Sequence, residues 1–256
     1  MNLDDTTRGA LFQYLLRLGD DKLVLGHRLS ELCAHGPILE QDIALTNIAL
    51  DSIGQAQALL KLAGDVEGEG RTADDLAYHR DEYDFRNALL VEQPNGDFAT
   101  TLARQFLFDV FGYHLYGELS RSTHEPLAAI VAKALKEIRY HVRHSGDWML
   151  RLGDGTEESH RRAQDALDQM WMYTDELFES DEHVRRLAGQ GIVPDPEALR
   201  PAWLETVKGL LERATLEIPE PGYMATGGRT GRHTEHLGHM LAEMQILARS
   251  IPGAEW

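Results

Sequence analysis

At 256 residues, with 43% hydrophobic and 26% charged positions, the chain has an ordinary globular balance and enough length for one large core. A formal net charge of -17 argues against nucleic acid and anionic membrane as partners. The one cysteine, Cys33, excludes an internal disulfide and any Cys-based zinc or iron–sulfur site. The acidic start MNLDDTTRG reads as no signal peptide, and no apolar run reaches the roughly 18–20 residues of a span, so a soluble, cytoplasmic chain is expected.

From about Thr6 to His35 the pattern predicts a first helix, buried through Leu11, Phe12, Leu15, Leu18, Leu25, Leu29 and Leu32. Gly19 is a candidate break, Cys33 falls on the helix, and His35-Gly36-Pro37 is the stop. Glu40 to Leu62 is apolar or small nearly all round, which predicts a central, buried helix. Its polar exceptions Asn47, Asp51 and Gln55 form one narrow line, as an interior site would, although hydrogen bonding to neighbouring helices is the commoner reason for one. Gly64 to Arg71 is an acidic glycine-rich loop without phosphate-loop spacing. Thr72 with Asp75 reads as an N-cap, opening a helix buried through Leu76, Tyr83, Leu89 and Leu90.

Asp97 to Ser122 is a long helix with two apolar faces, and Asp109 sits in the middle of one; an aspartate there needs a salt bridge, a metal or a raised pKa, and a simple ion pair is the commoner explanation. Pro126 to Gly155 is the stretch around which the chain is organised. Its stripe of Leu127, Ile130, Val131, Ala134, Ile138, Val142, Met149 and Leu152 contains His141, with Glu137 one turn earlier at the edge. Thr156 caps the next helix, which has a core line running on to Leu177 and Phe178. GQGIVPDPEALRP is irregular, and Pro201 opens a helix to about Ala214. Ile218 to Arg232 contains GGRTG, neither a dinucleotide nor a Walker fingerprint. The last helix starts at His233 and packs through Leu237, Met240, Leu241, Met244, Leu247, Ala248 and Ile251, with His233, His236 and His239 read as part of a charged surface rather than a zinc site. No strand alternation competes anywhere, so the fold class is all-α, with long antiparallel helices around a buried one.

The inward polar positions are His27 and Glu31, Asp51, Asp109, and Glu137 with His141, on four long helices. A di-iron carboxylate bundle needs a Glu on two helices and Glu-x-x-His on each of the other two, because i and i+3 side chains reach one metal pair. Here Asp51 is followed at i+3 by Gly54, and Glu137 by Tyr140. The one literal match, Glu157-Glu158-Ser159-His160, opens a helix after a turn and faces no core. The set Glu31, Asp51, Asp109, Glu137 and His141 is therefore read as a degenerate metal site that has become a buried polar network. A di-metal oxidase using these unusual ligands and a metal store using surface acids are the alternatives.

ALDSIGQAQALL, DLAYHRDEYDFRNALL, NGDFATTLARQFLFD, KEIRYHVRHSGDWMLRLGDGTEESH and GRTGRHTEHLGHMLAEMQILARSIPGAEW together resemble the C subunits of bacterial phenylacetyl-CoA epoxidase, from the first helix to the terminal tryptophan. The resemblance implies a single ferritin-like, up-down helical bundle with additional helices over residues 1–256. It implies a structural, non-catalytic role with no cofactor in this chain. It implies a catalytic A subunit as direct partner, carrying the di-iron centre, with a B subunit and a flavin and iron–sulfur reductase in the larger complex. A homodimer of the isolated chain is left open. That complex adds one oxygen atom across the aromatic ring of phenylacetyl-CoA in aerobic phenylacetate breakdown.

Overall fold

Leucines spaced three and four apart give α1 (Asp5–Ser30) in the computed structural model, which describes residues 3–220, 222–251 and 253. Asp4 caps it by accepting from the Thr7 N–H at 2.9 Å. Gly19 does not interrupt it; a Cβ there would meet the Leu60 side chain at 2.6 Å, so glycine lets the next helix approach closely. α1 ends five residues earlier than expected, where the Ser30 hydroxyl donates to the Gly26 carbonyl at 2.8 Å, and Cys33 lies in the exposed turn that follows.

α2 (Leu39–Glu67) returns against α1 as a helical hairpin. It is not buried all round, as its composition suggested. Leu39, Ile43 and Leu50 are 70%, 52% and 63% exposed, because among the described residues nothing packs over that side. A crossover follows with α3 (Ala73–Tyr78), opened by the expected N-cap Thr72, which forms a capping box with Asp75, and the single turn α4 (Leu89–Glu92). The one long helix expected here is broken at Tyr78, and Tyr83 is 77% exposed. The break has a physical cause on α1. Asp20, fully buried and ion-paired with Arg80, accepts the Arg86 N–H at 2.8 Å, and Asp21 accepts the Ala88 N–H at 2.8 Å. These carboxylates satisfy backbone donors that a helix would otherwise have satisfied.

α5 (Phe98–Leu119) and α6 (Glu125–Gly153) form the second hairpin. α6 packs antiparallel on α2, in a register fixed by Gln41–His144 at 2.8 Å, Asp51–His141 at 3.0 Å and Gln55–Glu137 at 2.8 Å. Helices α1, α2, α5 and α6 thus make the four-helix core of an all-α, ferritin-like fold, with the long crossover between its hairpins.

The additional helices are α7 (Glu157–Trp171), α8 (Glu182–Ala188), α9 (Arg200–Arg213) and α10 (Glu235–Ser250). α7 carries a Thr156–Ser159 capping box and stops at Trp171; Leu177 and Phe178 belong to a separate 3-10 turn, Asp175–Phe178. The turn forms because buried Glu176 accepts the Leu89 and Gly227 N–H groups at 2.6 and 2.7 Å. α8 was not expected; Asp181 caps it, and Val184 and Leu187 bury it. Phe178 stacks edge-on to Phe111 and Trp203 at 5.5 and 5.3 Å, joining α5 and α9 to that turn. GGRTG is a clip: Arg229 bonds Asp21 at 2.9 Å, and Gly231, at φ 82, would drive a Cβ to 2.3 Å from the Tyr83 carbonyl. His233 precedes α10 and is fully buried against Glu92 at 2.8 Å, which corrects its assignment to a surface ladder; His239 is exposed as expected. Leu247 and Ile251, expected to pack, are about half exposed.

Candidate functional site

Three of the four core helices bring the expected residues together. On α6, His141 is fully buried and lies one helical turn from Glu137, at the seam with α2. Its Nε2 donates to Asp51 Oδ2 at 3.0 Å, which assigns the ring proton to that nitrogen and leaves Nδ1 without a partner among the described residues. Glu137 accepts from Gln55 Nε2 at 2.8 Å. On α5, Asp109 is fully buried and accepts from Gln105 Nε2 at 2.7 Å. Ser145 Oγ lies 3.0 Å from Asp109 Oδ2 and 2.9 Å from the His141 carbonyl, so its one proton serves either acceptor. Neutral donors, rather than the simple ion pair expected, therefore hold Asp109.

The fourth helix, α1, supplies a residue that the sequence reading passed over. Lys22 is 2% exposed, with Nζ 5.1 Å from the Phe108 ring centroid and 5.5 Å from that of Tyr116. Burial pushes its ammonium below the ordinary lysine range, and the carboxylates of Asp109, Asp21, Glu137 and Asp51, in that order, oppose the shift. Burial likewise pushes Asp109 upward, against His141, Lys22, Ser145 and Gln105. No carboxylate oxygen lies within 4.0 Å of Nζ among the described residues, so the attraction is shared over the cluster. A signal for it stood in the sequence: Leu15, Leu18, Lys22, Leu25 and Leu29 follow one another at three- and four-residue spacing, and Lys22 interrupts an otherwise unbroken leucine stripe.

Glu31 and His27 do not join the cluster. Glu31 caps the exposed end of α1, where it binds Arg28 at 2.8 Å and Asn95 at 3.2 Å. His27 is shifted downward by burial alone, with no carboxylate acting on it. Asn47, on the polar line of α2, is exposed. The literal Glu-x-x-His match is equally remote: Glu158 pairs with Arg161 and Arg162, and His160 bonds the Gly153 carbonyl at 2.8 Å.

The donor set does not fit a di-metal centre. It offers one imidazole where two are needed: Asp51 is engaged by that imidazole's Nε2, and only its Nδ1 is free of a partner among the described residues. Two of its three carboxylates are met by the amides of Gln55 and Gln105, and an ammonium already stands in their field. The arrangement gathers Lys22 and three carboxylates between the core helices and ties α1, α2, α5 and α6 to one another. A cleft of about 300 Å3 between α2 and α6, lined in part by Leu50, Gly54 and Lys133, opens onto Asp51, Gln55 and Glu137. No helix of the described residues is long and apolar enough to cross a membrane.

The model of the phenylacetic acid catabolic protein family matches residues 1–256. The chain is 50% identical over 246 residues, covering 96% of it and 99% of the relative, to the C subunit of 1,2-phenylacetyl-CoA epoxidase from Escherichia coli (strain K12). With the all-α core and its buried polar network, the match over the whole length means that the chain belongs to the phenylacetic acid catabolic protein family.

Proposed function

We propose that this chain is a non-catalytic, structural subunit of a phenylacetyl-CoA epoxidase complex, where it stabilises the catalytic A subunit that carries the di-iron centre. The observation that carries this reading is Lys22, an internal cation among the carboxylates that a di-metal relative would give to iron. A lysine in that place serves cohesion: it balances Asp109, Glu137 and Asp51 without exchangeable metal and leaves no open coordination position for oxygen or substrate. The name of the relative supports the complex and the pathway. The B subunit and the flavin and iron–sulfur reductase would complete the assembly, and no cofactor is assigned to this chain.

The test is co-expression of the A subunit with and without this chain. Binding to the folded A subunit must raise its thermal midpoint in a concentration-dependent way. Phenylacetyl-CoA-dependent oxygen uptake should follow the A subunit and be absent when this chain is given the reductase alone. Turnover by this chain without the A subunit would sink the reading.

A further inference from the structure

One face of the molecule lacks the charge that a solvated helix normally carries. Between Glu40 at the start of α2 and Lys61 near its end, the exposed positions Ile43, Asn47, Leu50, Gly54 and Gln57 include no ionisable group, and with Leu39 three of the stripe's side chains are large and apolar. At ~1.5 Å rise per residue this stripe runs for about 27 Å. Beside it, on the exposed side of α6, stand Lys133, Lys136, Arg139 and Arg143, within about 120° of one another at ~3.6 residues per turn. None of these four cations is ion-paired among the described residues. In a chain of net charge -17, an unpaired basic row along an uncharged apolar stripe is the reverse of the average surface.

We propose that the α2 stripe and the α6 basic row form the docking face for a different helical subunit, one that presents an apolar helix bordered by Asp and Glu side chains. The face is not self-complementary. A two-fold contact between copies of this chain would set the basic row against itself or against the uncharged stripe. The carboxylates midway along the seam, Asp51 and Glu137, are bonded to His141 and Gln55, and the exposed acids Glu40 and Asp147 stand only at one end of the face, away from most of the basic row. A stripe of this length suits a helix laid along it, with apolar contacts at the centre and charge at the rim, better than a small anion. The docked subunit would also cover the cleft over Asp51 and Glu137, so the buried network lies directly beneath the contact.

This inference rests on the reading of the chain as one subunit of a larger complex, and the experiment separates the two. Tagged wild-type chain, Leu50→Glu, Lys136→Glu/Arg139→Glu and a control, Tyr83→Glu on the exposed crossover, are each co-expressed with the A subunit. Affinity is measured by titration of the purified chains, after circular dichroism confirms an unchanged melting temperature. The proposal expects Leu50→Glu to weaken binding at least about tenfold, because a carboxylate placed in the dry centre of a contact lacks a partner. The charge reversal should weaken binding and remove most of its salt dependence, while Tyr83→Glu binds as wild type. Wild-type affinity in both face variants would overturn the proposed face and leave the subunit reading standing. Absence of binding by the wild type would overturn both. A change in the mass of the isolated chain from dimer to monomer in Leu50→Glu would assign the face to a second copy and overturn the proposal.

Discussion

Replacing Lys22 by methionine keeps the aliphatic stem that packs beside Phe108 and Tyr116 and removes only the charge. Every carboxylate oxygen lies beyond 4.0 Å from Nζ among the described residues, so attraction to any one of them is below about 4 kcal/mol at an effective dielectric near 20. Asp109 comes first among the carboxylates acting on Lys22, and two aromatic rings add roughly 0.5–2 kcal/mol each. Relief of the ammonium's desolvation offsets part of this sum. The net expectation for Lys22→Met is a loss of about 3 kcal/mol, the low end for removing one partner of a buried charge cluster. Asp109→Asn keeps the bond from Gln105 and removes the carboxylate that burial disfavours. In the double variant both charges are gone, so the loss should shrink to about 1 kcal/mol or less. Urea unfolding followed at 222 nm, with equal m-values checked, gives the cycle, and a coupling energy of about 2 kcal/mol is expected. Additivity within about 0.5 kcal/mol would refute the idea that Lys22 and Asp109 belong to one network.

The other predictions concern parts that hold this network in place. Burial opposes the imidazolium of His233, but the Glu92 carboxylate, by hydrogen bond and charge, raises its pKa above the usual value. A raised histidine contributes stability that is complete below its unfolded pKa of about 6.5 and is lost as pH rises through the folded value. Between pH 6 and 8 the wild type should therefore lose more stability than His233→Asn; a wild type that gains on the variant over that rise would contradict the assignment. Gly153→Ala should cost about 2–3 kcal/mol, because the new Cβ would stand 2.2 Å from the Ala214 carbonyl oxygen, a backbone atom that cannot step aside. Gly209→Ala, on an exposed position of α9 with no atom within 4 Å of the new Cβ, should instead add up to about 1 kcal/mol. Thermal melts of the two variants side by side check both signs.

The parts of the fold legible in the sequence are those whose backbone bonds close locally. The long helices and the Thr72 and Thr156 caps follow from spacing within a few residues, whereas the end of α1 came five residues before its expected stop. The crossover is different, because its donors end on Asp20 and Asp21, 66 and 67 residues earlier in the chain, and on Glu176, 87 residues later. No window of sequence contains both halves of such a contact. His233 was misplaced for the same reason, since its partner Glu92 lies 141 residues away. In the candidate site, Asp51, Glu137 and His141 were found because α6 and α2 each display them against an apolar background. Glu31 was drawn in by helical spacing alone, although α1 ends before it can face the core. Lys22 was missed because lysine is read as surface by default. The leucines three and four residues to either side of it carried the contrary signal.

The cluster at the centre of the four core helices separates a structural chain from an oxidase, and its metal content is the most direct measurement. The chain is purified alone, loaded anaerobically with Fe(II), desalted, and its iron per chain determined by elemental analysis. A value near zero is expected, with Lys22 and the bonded carboxylates declining the metal. About two iron atoms per chain, the stoichiometry of a di-iron carboxylate bundle, would overturn the structural role.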